Sequence, residues 1–384
     1  MADLMPGQRP LRVGFVLHVM QVAGAEMLVA DTIMRIGSGL EPVVFCIDSV
    51  GQLGERMIAK GIPVIAYGRK TGMDFSVSRR MAKDIKARQI EVLHAHQYTP
   101  FFYGSIAARL SGVSPKVVFT EHGRHYPDVV SSKRRWANRL VFDRLADDVN
   151  AVCAFSARSL SERDGFRAGR IHVIENGIDI GRYQAGRNQA DLKASLGLDP
   201  SRRYVACIAR FHPVKDHRTL IRAFSDVARV IDDVDLLLVG DGQLRGELEA
   251  QVAALQLTGR VRFLGVRDDV PEILQASDVF TLTSVSEAAS ITLLEAMAAA
   301  RPVVVTAVGG NPEIVRQDQD GLLAPRGDAP AIATALTNIL KDRALAARLG
   351  ASGAARVRQT YQLEQTIERY HQLYLSLAGQ RRAA

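Results

Sequence analysis

Three cysteines in 384 residues are too few for a disulfide framework, and Cys46, Cys153 and Cys207 each fall in an apolar, strand-like run where a small core side chain is wanted. No apolar stretch is long enough to cross a bilayer. Leu11 to Met20 is short and interrupted, and Met1 to Pro10 before it is polar, without the apolar core of a signal peptide. These absences lead to the expectation of a soluble chain in a reducing cytoplasm. Low-complexity tracts and fixed-period repeats are missing as well. The G-x-G-x-x-G dinucleotide fingerprint is also missing, since Gly240-Asp241-Gly242 does not form it, and this weighs against a dehydrogenase. Neither zinc-finger spacing nor basic and aromatic interleaving is present, so nucleic acid is not an expected partner. The formal net charge of +8 still favours anionic partners, among them nucleotide phosphates and acidic lipid headgroups.

What is there is globular: 47% hydrophobic and 23% charged residues, in a chain long enough for two lobes. Strand-like runs alternate with amphipathic ones: Leu11 to Val19, Pro42 to Ile47, Pro63 to Tyr67, Val92 to His96, Lys116 to Thr120, Asn150 to Ala154 and Ile171 to Ile174. The rhythm pauses over Asp179 to Arg203, a stretch with the composition of a linker. It resumes with strands at Tyr204 to Ala209, Asp235 to Val239, Val261 to Leu264, Val279 to Leu282 and Pro302 to Thr306. Near-continuous apolar strands joined by helical crossovers predict parallel sheets covered on both faces. The fold class is therefore α/β, with two Rossmann-like doubly wound domains expected to face each other across a cleft. The predicted divisions are 1–182, a linker at 183–203, and a second domain at 204–360. Ligands in such sheets bind outside the C-terminal strand ends.

The most informative stretch is Ser284 to Pro312, S-V-S-E-A-A-S-I-T-L-L-E-A-M-A-A-A-R-P-V-V-V-T-A-V-G-G-N-P. Val279 to Leu282 reads as a buried strand, Thr283 to Ala289 as a turn and Ser290 to Ala299 as a helix. Glu287 then sits in the loop and Glu295 inside the helix. Unpaired N–H groups around Ala289, Ser290 and Ile291, at the positive end of the helix dipole, suit a diphosphate. The flanking carboxylates suit sugar hydroxyls, and the pattern points to a nucleotide sugar. After Tyr204 to Ala209 come Arg210 and Lys215, two cations in one loop that bracket a diphosphate and stabilise charge on a leaving nucleoside diphosphate.

The paired glutamates, followed by L-E-A-M-A, R-P-V-V-V-T and G-G-N-P-E-I-V, resemble the donor-site signature of retaining glycosyltransferases with two Rossmann-like domains, the GT-B, family 4-like or group 1 enzymes. The resemblance implies that Arg210 and Lys215 hold the diphosphate, that Glu287 binds the donor sugar's hydroxyls and that Glu295 binds the ribose. It also implies a role for His122, in Thr120-Glu121-His122-Gly123, as a strand-end histidine contacting the donor sugar, so that His122 and Glu287 are the catalytic candidates. Gly24, after the first strand, lets backbone approach a phosphate or acceptor closely. Asn176-Gly177-Ile178-Asp179 matches a further family element, and residues 361–384 are implied to be a helix that crosses back to the first domain. No cofactor or metal is expected. His94 and His96 invite a metal reading, yet no further cysteine or carboxylate completes a site. Asp233-Val234-Asp235 looks like an acidic metal triplet but reads as a turn before a strand.

The function implied is transfer of a sugar from a UDP- or GDP-linked donor to a carbohydrate or lipid-linked acceptor, with retention, in cell-surface glycan, exopolysaccharide or glycolipid synthesis. With no sugar-directed nucleophile evident, a front-side path is favoured, resting on positioning and electrostatic stabilisation. Two departures stand out: Ala23 replaces the first of two usual glycines, and Ala288 follows Glu287 where glycine is usual, which narrows the donor pocket. Arg79, Arg80, Lys83, Lys86 and Arg88, with Lys133-Arg134-Arg135-Trp136, make the first lobe a candidate for peripheral contact with the anionic inner face of a membrane. The rival readings are a sugar-nucleotide epimerase of the same architecture, a two-lobed periplasmic-type binding protein, and a non-catalytic sugar-nucleotide-binding relative. The missing signal peptide disfavours the second.

Overall fold

The computed structural model of the chain describes residues 9–22, 24–123, 131–183 and 188–383. Seven strands form the first sheet: β1 (Leu11–Val19), β2 (Leu40–Ser49), β3 (Val64–Ala66), β4 (Val92–His96), β5 (Lys116–Glu121), β6 (Asp148–Ala151) and β7 (Ile171–Val173). They are ordered β3-β2-β1-β4-β5-β6-β7, and every pairing is parallel. Six strands form the second: β8 (Arg203–Ile208), β9 (Val234–Val239), β10 (Val261–Gly265), β11 (Val279–Leu282), β12 (Val303–Thr306) and β13 (Leu322–Ala324). Their order is β10-β9-β8-β11-β12-β13, again all parallel. Each sheet thus runs outward one way from its first strand and then reverses, the doubly wound arrangement. The reversal falls between β1 and β4 in one sheet and between β8 and β11 in the other, where open α/β sheets take ligands.

Parallel pairing explains the composition of the strands. Val279–Leu282 and Val303–Thr306 are buried throughout, because crossover helices cover both faces of the sheet. The buried core of the second sheet gathers Tyr204, Phe211, Phe224, Phe280, Leu293 and Met297, among others. That of the first includes Phe45, Phe101, Phe119 and Phe166, with Phe101 and Phe119 stacked at 4.4 Å between ring centroids.

The chain divides into two compact units. One takes residues up to Gly123, the stretch ending at Asn176, and Glu364 onward; the other holds Gly177–Leu363. The return to the first unit is made by the Leu363–Ala383 helix, on which Tyr370 and Tyr374 are buried. Thr366 donates to the Glu175 carbonyl at 2.8 Å and Arg35 to Glu364 at 2.7 Å. Within the stretch expected as a linker, 183–203, residues 184–187 lie outside the described residues, whereas Gln189–Ser195 is a helix whose Leu192 is buried in the second core.

Three other expectations need correction. Cys153 is not in a strand: β6 ends at Ala151, and Cys153 caps the Ala154–Glu162 helix through its sulfur. Asp233-Val234-Asp235 is not wholly a turn, because β9 begins at Val234. Asp235 is buried there, and its carboxylate accepts from Arg202 Nε at 2.9 Å and Nη2 at 2.7 Å, with Arg260 at 3.3 Å. It is therefore a structural anion. Finally, β13 was not anticipated, because three residues, Leu-Leu-Ala, are too short to show a period.

Candidate functional site

In the second unit the loops after β8, β11 and β12 are tied to one another by specific bonds. After β8, Ala209 and Phe211 donate backbone N–H groups to Val239 and Asp241, so Arg210 lies on a stretch pinned alongside Gly240-Asp241. Only glycine fits at 240: φ is +134°, and a Cβ would lie 2.2 Å from the Ala209 carbonyl oxygen. The chain then makes a short turn, Pro213–Lys215, which ends in Asp216 with φ +47°. Asp216 caps the His217–Val230 helix by accepting from Thr219.

From the β11 side, the Val285 N–H donates to the Val214 carbonyl at 2.8 Å, and the Thr283 hydroxyl donates to the Asp216 carbonyl at 3.0 Å. The two loops that flank the reversal of the sheet are therefore fastened together. The fastening brings the Lys215 ammonium onto Glu287 Oε1, which also accepts from the Ser284 hydroxyl at 2.7 Å. The loop after β12 supports Glu287 from behind. Gly309 has φ +57°, a Cβ there would lie 1.7 Å from the Glu287 carbonyl oxygen, and Gly310 N–H donates to that oxygen at 3.2 Å.

Ser290 is the N-cap of the Ile291–Ala298 helix, its hydroxyl accepting from Leu293 N–H at 3.4 Å, so the expected helix of Ser290 to Ala299 is shorter by its two cap residues. Ile291 and Thr292 occupy the first turn, whose N–H groups lack intrahelical acceptors. Ala289 and Ile291 pack against the second core, and Ala288 is half-buried. Glu295 lies within the same helix and accepts from the buried Tyr183 hydroxyl at 2.5 Å. Burial raises the Glu295 carboxyl above the usual range, while the Tyr183 bond and Arg182 oppose that shift. The second unit therefore gathers a lysine, two carboxylates and a helix N-terminus, each placed by its own bonds. Arg210 follows the same strand as Lys215.

Gly24 and His122 belong to the first unit. Gly24 opens the Gly24–Ile36 helix after β1; its neighbour Ala23 lies outside the described residues. His122 follows β5, and its Nε2 lies 2.8 Å from His96 Nδ1, with the rings stacked at 5.1 Å. His96 in turn lies against His94, with ring centroids 4.0 Å apart and planes tilted by 35°. The protons of His94 can be ordered. Thr120 Oγ1 donates to Asn150 Oδ1 at 2.6 Å, so it accepts from His94 Nε2–H at 2.7 Å; His94 Nδ1 then accepts from the Tyr374 hydroxyl at 2.6 Å. Both nitrogens of His94 are thus committed to hydrogen bonds. Among the described residues no group of three or more His, Cys, Asp or Glu side chains is placed to hold a metal ion.

Sequence reasoning missed the tether residues. Ser284 was visible inside the quoted stretch, but nothing marked its bond to Glu287. Tyr183 carried no signal at all, because it lies 112 positions from Glu295.

Two family descriptions match the chain: Glycosyl transferases group 1 over residues 188–356 and Glycosyltransferase Family 4 over residues 24–182. N-acetyl-alpha-D-glucosaminyl L-malate synthase of Bacillus anthracis is 30% identical over 306 residues, covering 78% of this chain and 78% of the relative. UDP-Gal:alpha-D-GlcNAc-diphosphoundecaprenol alpha-1,3-galactosyltransferase of Escherichia coli is 31% identical over 275 residues, covering 68% of this chain and 70% of the relative. Among solved structures, Anabaena Alr3699/HepE in complex with UDP and glucose superposes with a TM-score of 0.84 at 23% identity, covering 95% of this chain and 100% of that one. WaaG, a glycosyltransferase involved in lipopolysaccharide biosynthesis, does so with a TM-score of 0.75 at 17% identity, covering 94% and 99%. The chain belongs to the family 4-like glycosyltransferases, built on the two Rossmann-like domains of the GT-B fold. It is an enzyme of the glycosyltransferase class.

The buried histidines give a pH dependence with a definite sign. Burial lowers His122 to about 4, lowers His217 to about 4 with help from Lys215, and holds His94 and His96 well below the usual imidazole range. In the unfolded chain each takes up a proton near pH 6.5. Between that pH and about 4 the unfolded state binds more protons, so native stability falls on acidification, by up to about 1.4 kcal/mol per pH unit for each ring. Melting temperature is expected to drop steadily below pH 6.5. His217, with no partner on either nitrogen among the described residues, makes the test: His217→Leu should flatten the decline, and an unchanged slope would refute the assignment.

Proposed function

We propose that the chain transfers a sugar, with retention and without a metal ion, from a UDP- or GDP-linked donor to a hydroxyl of a carbohydrate or lipid-linked acceptor. The observation that carries the reading is the joint placement of Lys215, Glu287 and the Ser290-capped helix start at the reversal of the second sheet. An ammonium has three protons, so Lys215 can keep Glu287 and still donate to phosphate oxygens. Arg210 adds a fork of donors, and the first-turn N–H groups near Ala289, Ser290 and Ile291 add the positive end of the helix dipole. Glu287 uses Oε1 for Lys215 and Ser284, which leaves Oε2 for a sugar hydroxyl. Glu295 takes the ribose.

In the reaction the bond from anomeric carbon to diphosphate oxygen breaks as the acceptor oxygen bonds the same face of that carbon. The acceptor's proton passes to the departing phosphate oxygen. Arg210, Lys215 and the helix start stabilise the charge gathering on that diphosphate. The galactosyltransferase relative is named for UDP-Gal and a lipid diphosphate acceptor, which supports glycan or glycolipid synthesis and makes uridine the first base to test. The malate-named relative shows that acceptors differ between relatives.

Calorimetry with UDP and GDP, followed by product analysis with UDP- and GDP-sugars, tests this. Free diphosphate and a conjugate are expected, with activity unchanged by a chelator; an altered donor sugar without acceptor would mean an epimerase. Arg210→Ala and Lys215→Ala should each lower kcat by about 10²- to 10³-fold while cooperative melting is retained. Near-normal turnover in both would sink the reading.

Location at the inner face of a membrane is part of the same proposal. Among the described residues no helix is long and apolar enough to cross a bilayer. The helical run from Ser132 to Leu145 exposes Trp136, Leu140 and Val141 beside the exposed Lys133, Arg135, Arg139 and Arg144. Its one carboxylate, Asp143, is buried against Arg167 and Arg170. Apolar side chains among uncompensated cations suit an acidic bilayer surface. Sedimentation with vesicles rich in acidic lipid is expected, and Trp136→Ser with Leu140→Ser should weaken it at least tenfold; equal pelleting with neutral vesicles would refute a charge-driven contact.

A further inference from the structure

We infer that Tyr183 is a positioning residue for nucleoside recognition: it holds one oxygen of Glu295 so that the other is presented to the paired hydroxyls of a ribose. The role rests on the donor reading above, in which Glu295 receives the ribose, and it deepens that reading.

Tyr183 ends the short turn Ile180–Tyr183, which packs on the helices Val270–Ala276 and Ile291–Ala298. The chain just before the turn is anchored by backbone. Ile178 N–H donates to the Tyr361 carbonyl at 3.0 Å, and Leu363 N–H donates to the Ile178 carbonyl at 3.0 Å. The tyrosine ring is 2% exposed. Its hydroxyl reaches Glu295 Oε1 at 2.5 Å, a charge-assisted geometry. Among the described residues, Oε2 accepts no hydrogen bond. Burial and the neighbouring carboxylate push the Tyr183 phenol upward, so it remains a donor at any working pH.

A glutamate side chain in the second turn of a helix has three torsions to fix before it can accept two hydroxyls in one plane. The bond from Tyr183 fixes them in advance, through a residue that is itself immobile. Glu287 is organised in the same way, Oε1 being held by Lys215 and Ser284. The two carboxylates of the site thus share one design, with a tether on one oxygen and the other left for ligand. Ordering a long side chain on binding costs about tenfold in affinity, and that is the factor the tether saves.

The test uses the full chain, whichever of UDP or GDP it binds, and the 2′,3′-dideoxy form of that nucleotide, measured by calorimetry. Tyr183→Phe is expected to bind the ribonucleotide about tenfold more weakly and the dideoxy form within twofold of wild type. Added to Glu295→Ala, which removes the acceptor of that bond, it should cause no further loss. Equal loss of both nucleotides, or losses that multiply in the double variant, would overturn the role of Tyr183 while the donor reading stands. Should Tyr183→Phe not melt cooperatively, Glu295→Ala alone decides: discrimination between the two nucleotides that survives it unchanged overturns the proposal. A wild-type chain that binds neither UDP nor GDP overturns the donor reading itself, and this role with it.

Discussion

An ammonium resting on a carboxylate, Lys215 on Glu287, is the contact around which the second unit's site is organised. It joins the loop after the strand that starts the sheet to the loop after the strand at which the sheet reverses. The carboxylate is largely buried, and a buried charge left alone is costly, so the lysine is a structural requirement of Glu287. The backbone bonds from Val285 to Val214 and from Gly310 to Glu287 hold the partners in register. Without them the helix start at Ser290 and the carboxylate at Glu295 would have no fixed relation to the cations after β8.

The first unit solves a different problem by different means. Beside carboxylates such as the buried Glu121 at the end of β5, three rings that burial keeps neutral, His94, His96 and His122, lie one against the next, and one chain of donated protons runs from Tyr374 through His94 and Thr120 to Asn150. Neutral imidazoles stack closely without mutual repulsion and present both donors and acceptors.

Much of this was legible in the sequence because parallel sheets buried on both faces produce unbroken apolar runs. Val279 to Leu282 and Val92 to His96 announced themselves, with termini right to the residue. Glu287 and Glu295 were legible for another reason: a strand, a polar turn and a capped helix occupy consecutive positions, so local pattern fixes which carboxylate lies in the loop and which in the helix. What was not legible depends on pairing between distant segments. Tyr183 on Glu295, Arg202 on Asp235 and Tyr374 on His94 each join residues that only the folded chain brings together. Asp235 misled for that reason, since an aspartate beside a turn and one buried under arginines read alike. The stretch 183–203 misled by composition, its polar residues hiding Leu192 and Leu198, which are buried in the second core.

The return of the last helix to the first unit bears on the order of events during synthesis. Phe15 lies 6.2 Å from Tyr374, and the His94 ring closes its hydrogen bonds only on that tyrosine. A nascent chain that has emerged through Asn176 has all seven strands of its first sheet but still lacks the aromatic residues that cover them. Gly177–Leu363, by contrast, is contiguous and contains the whole of the second sheet, whose strands therefore pair without the last helix. The first sheet therefore waits on a segment that follows the whole of the second, and a chain cut back to Leu363 would keep the second sheet intact and leave Phe15 and His94 without Tyr374.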